Sequence, residues 1–282
     1  MKDTILITGA NGFIGNQIYN YLNEKGYDVW GVGFSSSSKK KYKSVDLLNH
    51  QNLVEIARKI PKPSLIIHCA AIAHGHRSIP VGYNLISANT TMTENVIRVF
   101  ENKNSRIIFL SSIAVYGEDR RSEFVLPTDE LRPSSNYGKS KMLSEQIIIK
   151  SDFYSISILR LTPVFDDDNL VDIKKRVFLP FFKKIKMRIY PEPTYSLVNI
   201  KNVLFKIDSE ILKNDRGYTI KNIADSKDYP QSELLTWFDG VSIPLPSFIF
   251  LPFYYLSYLF LGNGYKIRCI YYKVFKKILF IN

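Results

Sequence analysis

The chain has 282 residues, 45% of them hydrophobic, and a formal net charge of +12. That length allows about two domains, or one large α/β unit with an appended lobe. Its two cysteines, Cys69 and Cys269, lack metal-ligand spacing, which excludes a disulfide scaffold or zinc site and fits a reducing cytoplasm.

The excess of cations is spread through a chain rich in Lys, Asn, Ile, Tyr and Phe. No nucleic-acid-binding signature accompanies it, so it reads as a composition bias and no nucleic acid is expected as partner. The first apolar run, Thr4–Thr8, is a strand pattern and not the core of a secretory signal. Gly9, Gly12 and Gly15 follow at once in Thr8-Gly-Ala-Asn-Gly-Phe-Ile-Gly15, ahead of a helix pattern over Phe13–Lys25. In such a strand-turn-helix the first glycine permits the tight turn and the second lets backbone approach a diphosphate. The third lets helix and strand pack closely, and the helix dipole adds attraction for the anion. Asn11, Phe13 and Ile14 belong to the same candidate dinucleotide turn.

Strand patterns continue at Val29–Val32, Ser64–His68, Arg106–Ser111 and Ser155–Leu161, with helix patterns at His50–Lys59, Asn84–Glu101 and Tyr137–Lys150. The alternation predicts an α/β fold, a Rossmann-type doubly wound parallel sheet with a small C-terminal substrate-binding lobe. Residues 1–165 would form the dinucleotide-binding domain and 166–282 the lobe and tail. Beyond Leu161, a helix over Val177–Ile185 and strands over Tyr195–Ile200 and Tyr218–Ile223 are predicted, some of them returning to the main sheet. At the end of the second strand, where an acid often binds the adenosine ribose, stands Gly33, followed by Phe34 and the loop Ser35-Ser-Ser-Ser-Lys-Lys-Lys41. That loop suits the 2′-phosphate of NADP as well as it suits a solvated surface, so the cofactor is NAD or NADP, with a lean to NADP.

Tyr-x-x-x-Lys occurs three times, at Tyr21/Lys25, Tyr137/Lys141 and Tyr272/Lys276. Only the middle copy follows both the glycine turn and a strand ending in a candidate serine, Phe109-Leu-Ser-Ser112. A free tyrosine titrates at about 10, too high for a base at neutral pH. Lys141 stands one helical turn beyond Tyr137, where its charge favours the phenolate, and Ser112 ends a strand where ligand crevices form. Ser112, Tyr137 and Lys141 are therefore the candidate catalytic set of an oxidoreductase.

Together these motifs resemble the extended short-chain dehydrogenase/reductase family, specifically its NAD(P)-dependent nucleotide-sugar epimerases and reductases. The resemblance spans roughly Lys2 to Phe238. It rests on Thr8–Gly15, Asp46-Leu47, His68-Cys-Ala-Ala71, Asn89 with Thr93, Ser111-Ser-Ile-Ala-Val-Tyr-Gly117, Tyr137-Gly-Lys-Ser-Lys141 and Leu159-Arg-Leu-Thr-Pro-Val-Phe165. It implies that Asp46 and Leu47 meet the adenine, Ala70 and Ala71 line the cofactor, and Asn89 supports the active-site helix. Pro163 would reach the nicotinamide end, and Lys141 would also hold the nicotinamide ribose. It further implies a nucleotide-sugar substrate, hydride transfer at C4, a homodimer and a place in surface polysaccharide biosynthesis. Dehydratases of the family carry Asp-Glu after the serine or threonine; Ile113 and Ala114 here argue against that reaction and leave 4-epimerase and 4-keto-sugar reductase. Gly33, Thr162, Asp166 and Lys201 depart from the family pattern, which leaves the sugar open. The rival readings are a catalytically idle dinucleotide sensor and a membrane-associated scaffold.

His74 and His76 could face the sugar or sit on an exposed loop, and Lys174, Lys175, Arg176 and Lys183 could hold a diphosphate or form a solvated face. Residues 240–265 carry no charge, and Lys266, Arg268, Lys273, Lys276 and Lys277 follow without an acid. Pro244, Pro246 and Pro252 break any single spanning helix. The segment reads as a packed lobe helix, or as peripheral membrane contact over 243–277 by a cytoplasmic enzyme of lipid-linked polysaccharide assembly.

Overall fold

The computed structural model describes residues 4–73, 79–117, 124–179, 181–182, 184–213, 215–256 and 279–280. In chain order the first elements are β1 (Thr4–Thr8), α1 (Phe13–Glu24), β2 (Asp28–Gly33), β3 (Tyr42–Ser44), α2 (His50–Ala57), β4 (Leu65–His68), α3 (Leu85–Phe100) and β5 (Arg106–Ser112). Then come β6 (Phe124–Val125), α4 (Asn136–Ile149), β7 (Ser155–Leu161), β8 (Val164–Phe165) and α5 (Val171–Val177). The last are β9 (Ile185–Tyr190), β10 (Thr194–Tyr195), β11 (Val198–Asn199), α6 (Ile200–Ile211), β12 (Gly217–Ile223), β13 (Tyr229–Pro230), α7 (Gln231–Thr236), β14 (Val241–Pro246), α8 (Leu251–Leu256) and β15 (Leu279–Phe280).

Seven strands form the main sheet in the order β12-β7-β5-β4-β1-β2-β3, and the pairings among β1 to β5 are parallel. Strand order reverses between β1 and β4, which opens a crevice at the carboxyl ends of those strands. This is the doubly wound α/β architecture expected from the alternating runs. The central strands are mostly apolar because helices cover both faces; β1 and β4 are buried at every position. Leu6, Val32, Ile66, Val96, Ile107, Phe109 and Ile158 are among the side chains of the resulting core. Side-chain caps fix two helix starts, Asn49 accepting from Asn52 on α2 and Asn84 sharing a reciprocal capping box with Ser87 on α3.

The chain divides into two compact units, residues 1–115, 136–160 and 203–221 in one and 116–135, 161–202 and 222–282 in the other. In the second unit Phe165, Ile173, Val177, Tyr195, Leu197, Tyr229, Leu234 and Leu235 make a separate core.

Two sequence expectations fail in this half. The helix is Val171–Val177 and not Val177–Ile185. Asp166 Oδ1 accepts from the amides of Asp168 and Asn169 and forms the turn that leads into it. At the other end Leu179 precedes a proline, a position that disfavours helical backbone. The predicted strand Tyr195–Ile200 is instead β10, β11 and the start of α6. There the Asp225 carboxylate accepts from Asn199 N at 3.1 Å and Asn202 Nδ2 at 2.6 Å, tying the helix start to a neighbouring loop. The strand predicted at Tyr218–Ile223 forms β12, on the edge of the main sheet.

Candidate active site

The glycine turn runs from β1 into α1. Gly9 has φ +69°, the left-handed region that disfavours other residues, and a side chain there would lie 2.8 Å from the Ala70 backbone. A side chain at Gly15 would collide with the Gly9 carbonyl. Gly12 caps α1 in extended conformation with no side chain on the helix amides and no acid in the first turn, so the positive end of the dipole stays open. Phe13 and Ile14 open the helix and are half-buried. Asn11 turns aside: its Nδ2 donates to the carbonyls of Ser35 (3.3 Å) and Ser36 (3.0 Å), and its Oδ1 accepts from Lys39 Nζ at 3.0 Å. These groups fit a dinucleotide, since no side chain caps the first amides of α1, the turn Thr8–Gly15 holds no carboxylate, and no Cβ stands at the close approaches.

Gly33 closes β2 where an acid would stand in many such sites. A Cβ there would lie 2.8 Å from the Tyr42 hydroxyl, which donates to the Ser35 carbonyl at 2.7 Å. Tyr42 reaches this point because β3, which the sequence pattern hides, pairs Tyr42 with Gly31. Asp46 accepts from Leu48 N, and Leu47 is buried with its carbonyl bound by Asn95. Ala70 N donates to Thr8 Oγ1 at 3.2 Å, and Ala71 is half-buried beside it. Pro163 lies in the second unit, where its carbonyl accepts from Val198 N.

On α4, Lys141 is only 3% exposed. Its ammonium donates to the Leu110 carbonyl of β5 at 2.7 Å and stands 4.6 Å from the Phe109 ring centroid and 5.9 Å from that of Tyr137. Burial pulls its pKa down to about 8, against the opposing pull of Cys69 and Glu145. The same burial pushes the Cys69 thiol up to about 12, so it stays protonated. Ser112 ends β5, two residues past Leu110; its Oγ accepts from Ala114 N at 3.2 Å. Asn89 on α3 clasps both backbone groups of Ile72 and donates to Ser140 Oγ at 2.9 Å, while Ser140 donates to the Tyr137 carbonyl at 2.8 Å. A short polar chain thus ties α3 to the turn of α4 that presents Tyr137.

Two buried clusters beneath this turn escape a sequence reading. Glu145, one turn past Lys141, accepts from Ser111 Oγ at 2.5 Å and from Arg160 Nε at 3.1 Å and Nη2 at 2.7 Å. The signals were available: Tyr137, Lys141 and Glu145 stand four apart, and Arg160 interrupts an apolar strand. The second cluster centres on His68, whose Nδ1 lies 2.6 Å from Thr8 Oγ1 and whose Nε2 lies 3.2 Å from Thr93 Oγ1. Burial, with the nearby Lys141 cation, lowers its pKa to about 3, so it is neutral. With its hydrogen given to the Asn89 carbonyl at 3.0 Å, Thr93 Oγ1 accepts from Nε2, which leaves Nδ1 to accept from Thr8. Thr93 Oγ1 also lies 3.0 Å from Ser144 on α4. The phosphate turn and the helix bearing Tyr137 thereby share one hydrogen-bonded chain.

Residues 5–185 match the NAD dependent epimerase/dehydratase family. The chain belongs to that family. Among curated relatives, UDP-glucose 4-epimerase uge1 of Schizosaccharomyces pombe is 32% identical over 165 residues, covering 52% of this chain and 46% of that protein. The chain spans about half the length of the first curated relatives it matches. Among solved structures, a short-chain dehydrogenase/reductase superfamily protein from Agrobacterium tumefaciens with bound NAD superposes with a TM-score of 0.68, at 18% identity over 86% of each chain. The dTDP-4-dehydrorhamnose reductase of Bacillus anthracis in complex with NADP superposes with a TM-score of 0.64, at 18% identity over 89% of this chain and 86% of that one. At such identities these structures establish the family fold.

Other sequence candidates fare differently. His74, His76 and Lys183 lie outside the described residues. Lys174 and Lys175 are exposed, and Lys175 pairs with Asp172 at 2.9 Å. Arg176 stands apart: its guanidinium lies 5.4 Å from the Tyr195 ring centroid and donates to the Asp172 carbonyl at 2.6 Å. Its buried Nε has no hydrogen-bond partner among the described residues, and burial lowers its pKa.

Proposed function

We propose that the chain is a nicotinamide-dependent oxidoreductase that transfers hydride at C4 of a nucleotide-linked hexose, as a 4-epimerase or a 4-keto-sugar reductase. The observation that carries this reading is Lys141, an ammonium buried against β5 beside Tyr137 and two residues from the strand end at Ser112. Withdrawing a cation from water is costly, and a folded chain keeps one there for its field. A relative named UDP-glucose 4-epimerase and a structural neighbour named dTDP-4-dehydrorhamnose reductase support C4 chemistry of both kinds.

The glycine turn would hold the diphosphate of a nicotinamide cofactor, which would supply the hydride chemistry. Tyr137 exchanges the proton of the sugar hydroxyl, the Lys141 charge making its phenolate accessible near neutral pH. Ser112 Oγ accepts from Ala114 N and keeps its own proton, which it would donate to the reacting sugar oxygen. Ile113 and Ala114 supply neither acid nor base for loss of water from the sugar, which favours epimerisation or reduction over dehydration.

For the cofactor, Lys39 held by Asn11 and Ser37, together with the Tyr42 hydroxyl beside Gly33, supports NADP. A carboxylate at position 33 would repel a 2′-phosphate, and none is there. Calorimetric titration with NADPH and NADH checks this; tighter NADH binding would remove the NADP assignment. The activity is tested by incubating the protein with UDP- and dTDP-hexoses and their 4-keto forms, with and without NADPH, read by NMR. Inversion or reduction at C4 is expected, and an unchanged spectrum across the panel with cofactor bound would favour an idle sensor. The pathway we infer is surface polysaccharide assembly, which consumes such nucleotide sugars.

A further inference from the structure

Glu145 and Arg160 are buried charges that the chemistry above does not use. A buried ion pair stabilises a fold little, and often less than apolar side chains of the same size, because both groups have left water. Stability therefore does not account for the pair, and its position offers another reason. Along α4, Tyr137, Lys141 and Glu145 follow one another at four-residue steps on one face of the helix. Along β5, Leu110, Ser111 and Ser112 are consecutive. The Leu110 carbonyl accepts from Lys141 at 2.7 Å, and the Ser111 hydroxyl donates to Glu145 Oε1 at 2.5 Å. Helix and strand are thus joined at two adjacent points, one turn of the helix from Tyr137 and one residue of the strand from Ser112.

The two ties differ in stiffness. A lysine ends a flexible stem and bonds as a point charge, so Lys141 alone tolerates rotation and sliding of α4. Glu145 is gripped from a second side by Arg160 of β7, the neighbour of β5 in the sheet. There Nε donates to Oε1 at 3.1 Å and Nη2 to Oε2 at 2.7 Å. This planar, two-pronged contact fixes direction as well as distance. Apolar packing does little to set the helix in place, because Ile148 is the one large apolar side chain among the fully buried residues of α4. Ser140 and Ser144 of the same face bond to α3, so the register of α4 on β5 rests on Lys141 and Glu145.

We propose, on the strength of the oxidoreductase reading above, that Glu145, locked by Arg160 to Ser111, is a positioning residue: it holds α4 in register on β5 and so sets Tyr137 against Ser112 for proton exchange with the sugar hydroxyl. It touches neither sugar nor nicotinamide and acts through the two side chains that meet the sugar. Such a role carries weight because a displacement of about 1 Å at the reacting groups lowers a rate on the order of 10²-fold.

The test uses Glu145→Leu/Arg160→Met, which removes the clamp without leaving a charge buried, and Ser111→Ala, which removes only the bond to β5. Urea unfolding and calorimetric cofactor binding are measured beside turnover of the UDP- or dTDP-hexose that the wild type converts. The double variant should unfold close to wild type and bind cofactor equally, with KM within about twofold and kcat lower about a hundredfold. Ser111→Ala, in which Glu145 keeps Arg160, should lose about tenfold in kcat and none of its cofactor affinity. A pair with only a structural role would move unfolding and leave kcat where it is. Wild-type kcat in both variants overturns the proposal; so does a kcat loss matched by an equal loss of cofactor binding, since the whole site would then have loosened. Should the double variant not fold, Ser111→Ala decides alone. A wild type that binds cofactor but converts no sugar would end the oxidoreductase reading, and the positioning role with it.

Discussion

Around Lys141 polar groups are buried, and past Asp239 large apolar groups are exposed; the two regions break opposite halves of the same rule. The inward face of α4 is Gly138, Ser140, Lys141, Ser144, Glu145 and Ile148. It carries more hydrogen-bonding groups than methyls, and each described one has a partner on β5, α3 or β7. The edge at β14 and α8 exposes Val241, Phe248, Ile249 and Tyr255 to water. A buried polar network persists only when it is satisfied and fixes a geometry, and an exposed apolar strip persists only when something else covers it. Both depart from the cheapest way to fold, and chemistry is sought at such departures.

The contrast is broken most severely by Glu145→Ala, which strands the Arg160 guanidinium in a pair whose side chains are 3% and 2% exposed. A loss of about 3–5 kcal/mol in urea unfolding is expected. The apolar double variant Glu145→Leu/Arg160→Met should recover most of it. A single variant that unfolds like wild type would mean the pair is solvated.

Next in size is the response to acid. His68 titrates near 3 in the fold and near 6.5 when unfolded, so the unfolded chain takes up the proton first. Its contribution to stability is complete above 6.5 and declines as pH falls toward 3, about 2 kcal/mol being lost by pH 5. His68→Gln, which keeps a donor and an acceptor, should flatten the difference between unfolding at pH 7 and pH 5; an unchanged slope would assign it to other groups.

A smaller effect concerns Lys141. With its ammonium at about 8, the rate of alcohol oxidation should fall about tenfold per pH unit above that value, as the charge that supports the Tyr137 phenolate is lost. A rate level to pH 10 would show that Lys141 keeps its proton. Smallest is Lys39→Ala, which should weaken NADPH binding by about 1 kcal/mol and leave NADH unchanged, since the contact of a half-exposed lysine is screened by solvent.

The comparison also explains what could be read from the residues alone. β1, α1, β2, β4, α3, β5 and β7 follow simple apolar periods because their buried faces are apolar. The buried face of α4 is polar, so its packing against α3 and β5 leaves no such trace, and the helix was legible only through Tyr137 and Lys141. Glu145, Arg160 and His68 meet partners far along the chain, where local pattern carries no information. In the second unit short strands and prolines defeat periodicity. There the pattern points to a helix over Val177–Ile185, whereas the Asp166 turn sets the helix start at Val171.

The most direct test of the central claim is turnover by Tyr137→Phe. The protein and this variant, each shown by calorimetry to bind the nicotinamide cofactor equally, are given the UDP- or dTDP-hexose that the wild type converts. The account predicts a rate at C4 lower by 10²–10⁴ in the variant, with KM little changed. An undiminished rate would contradict it, because no phenolic proton would then be moved in the reaction.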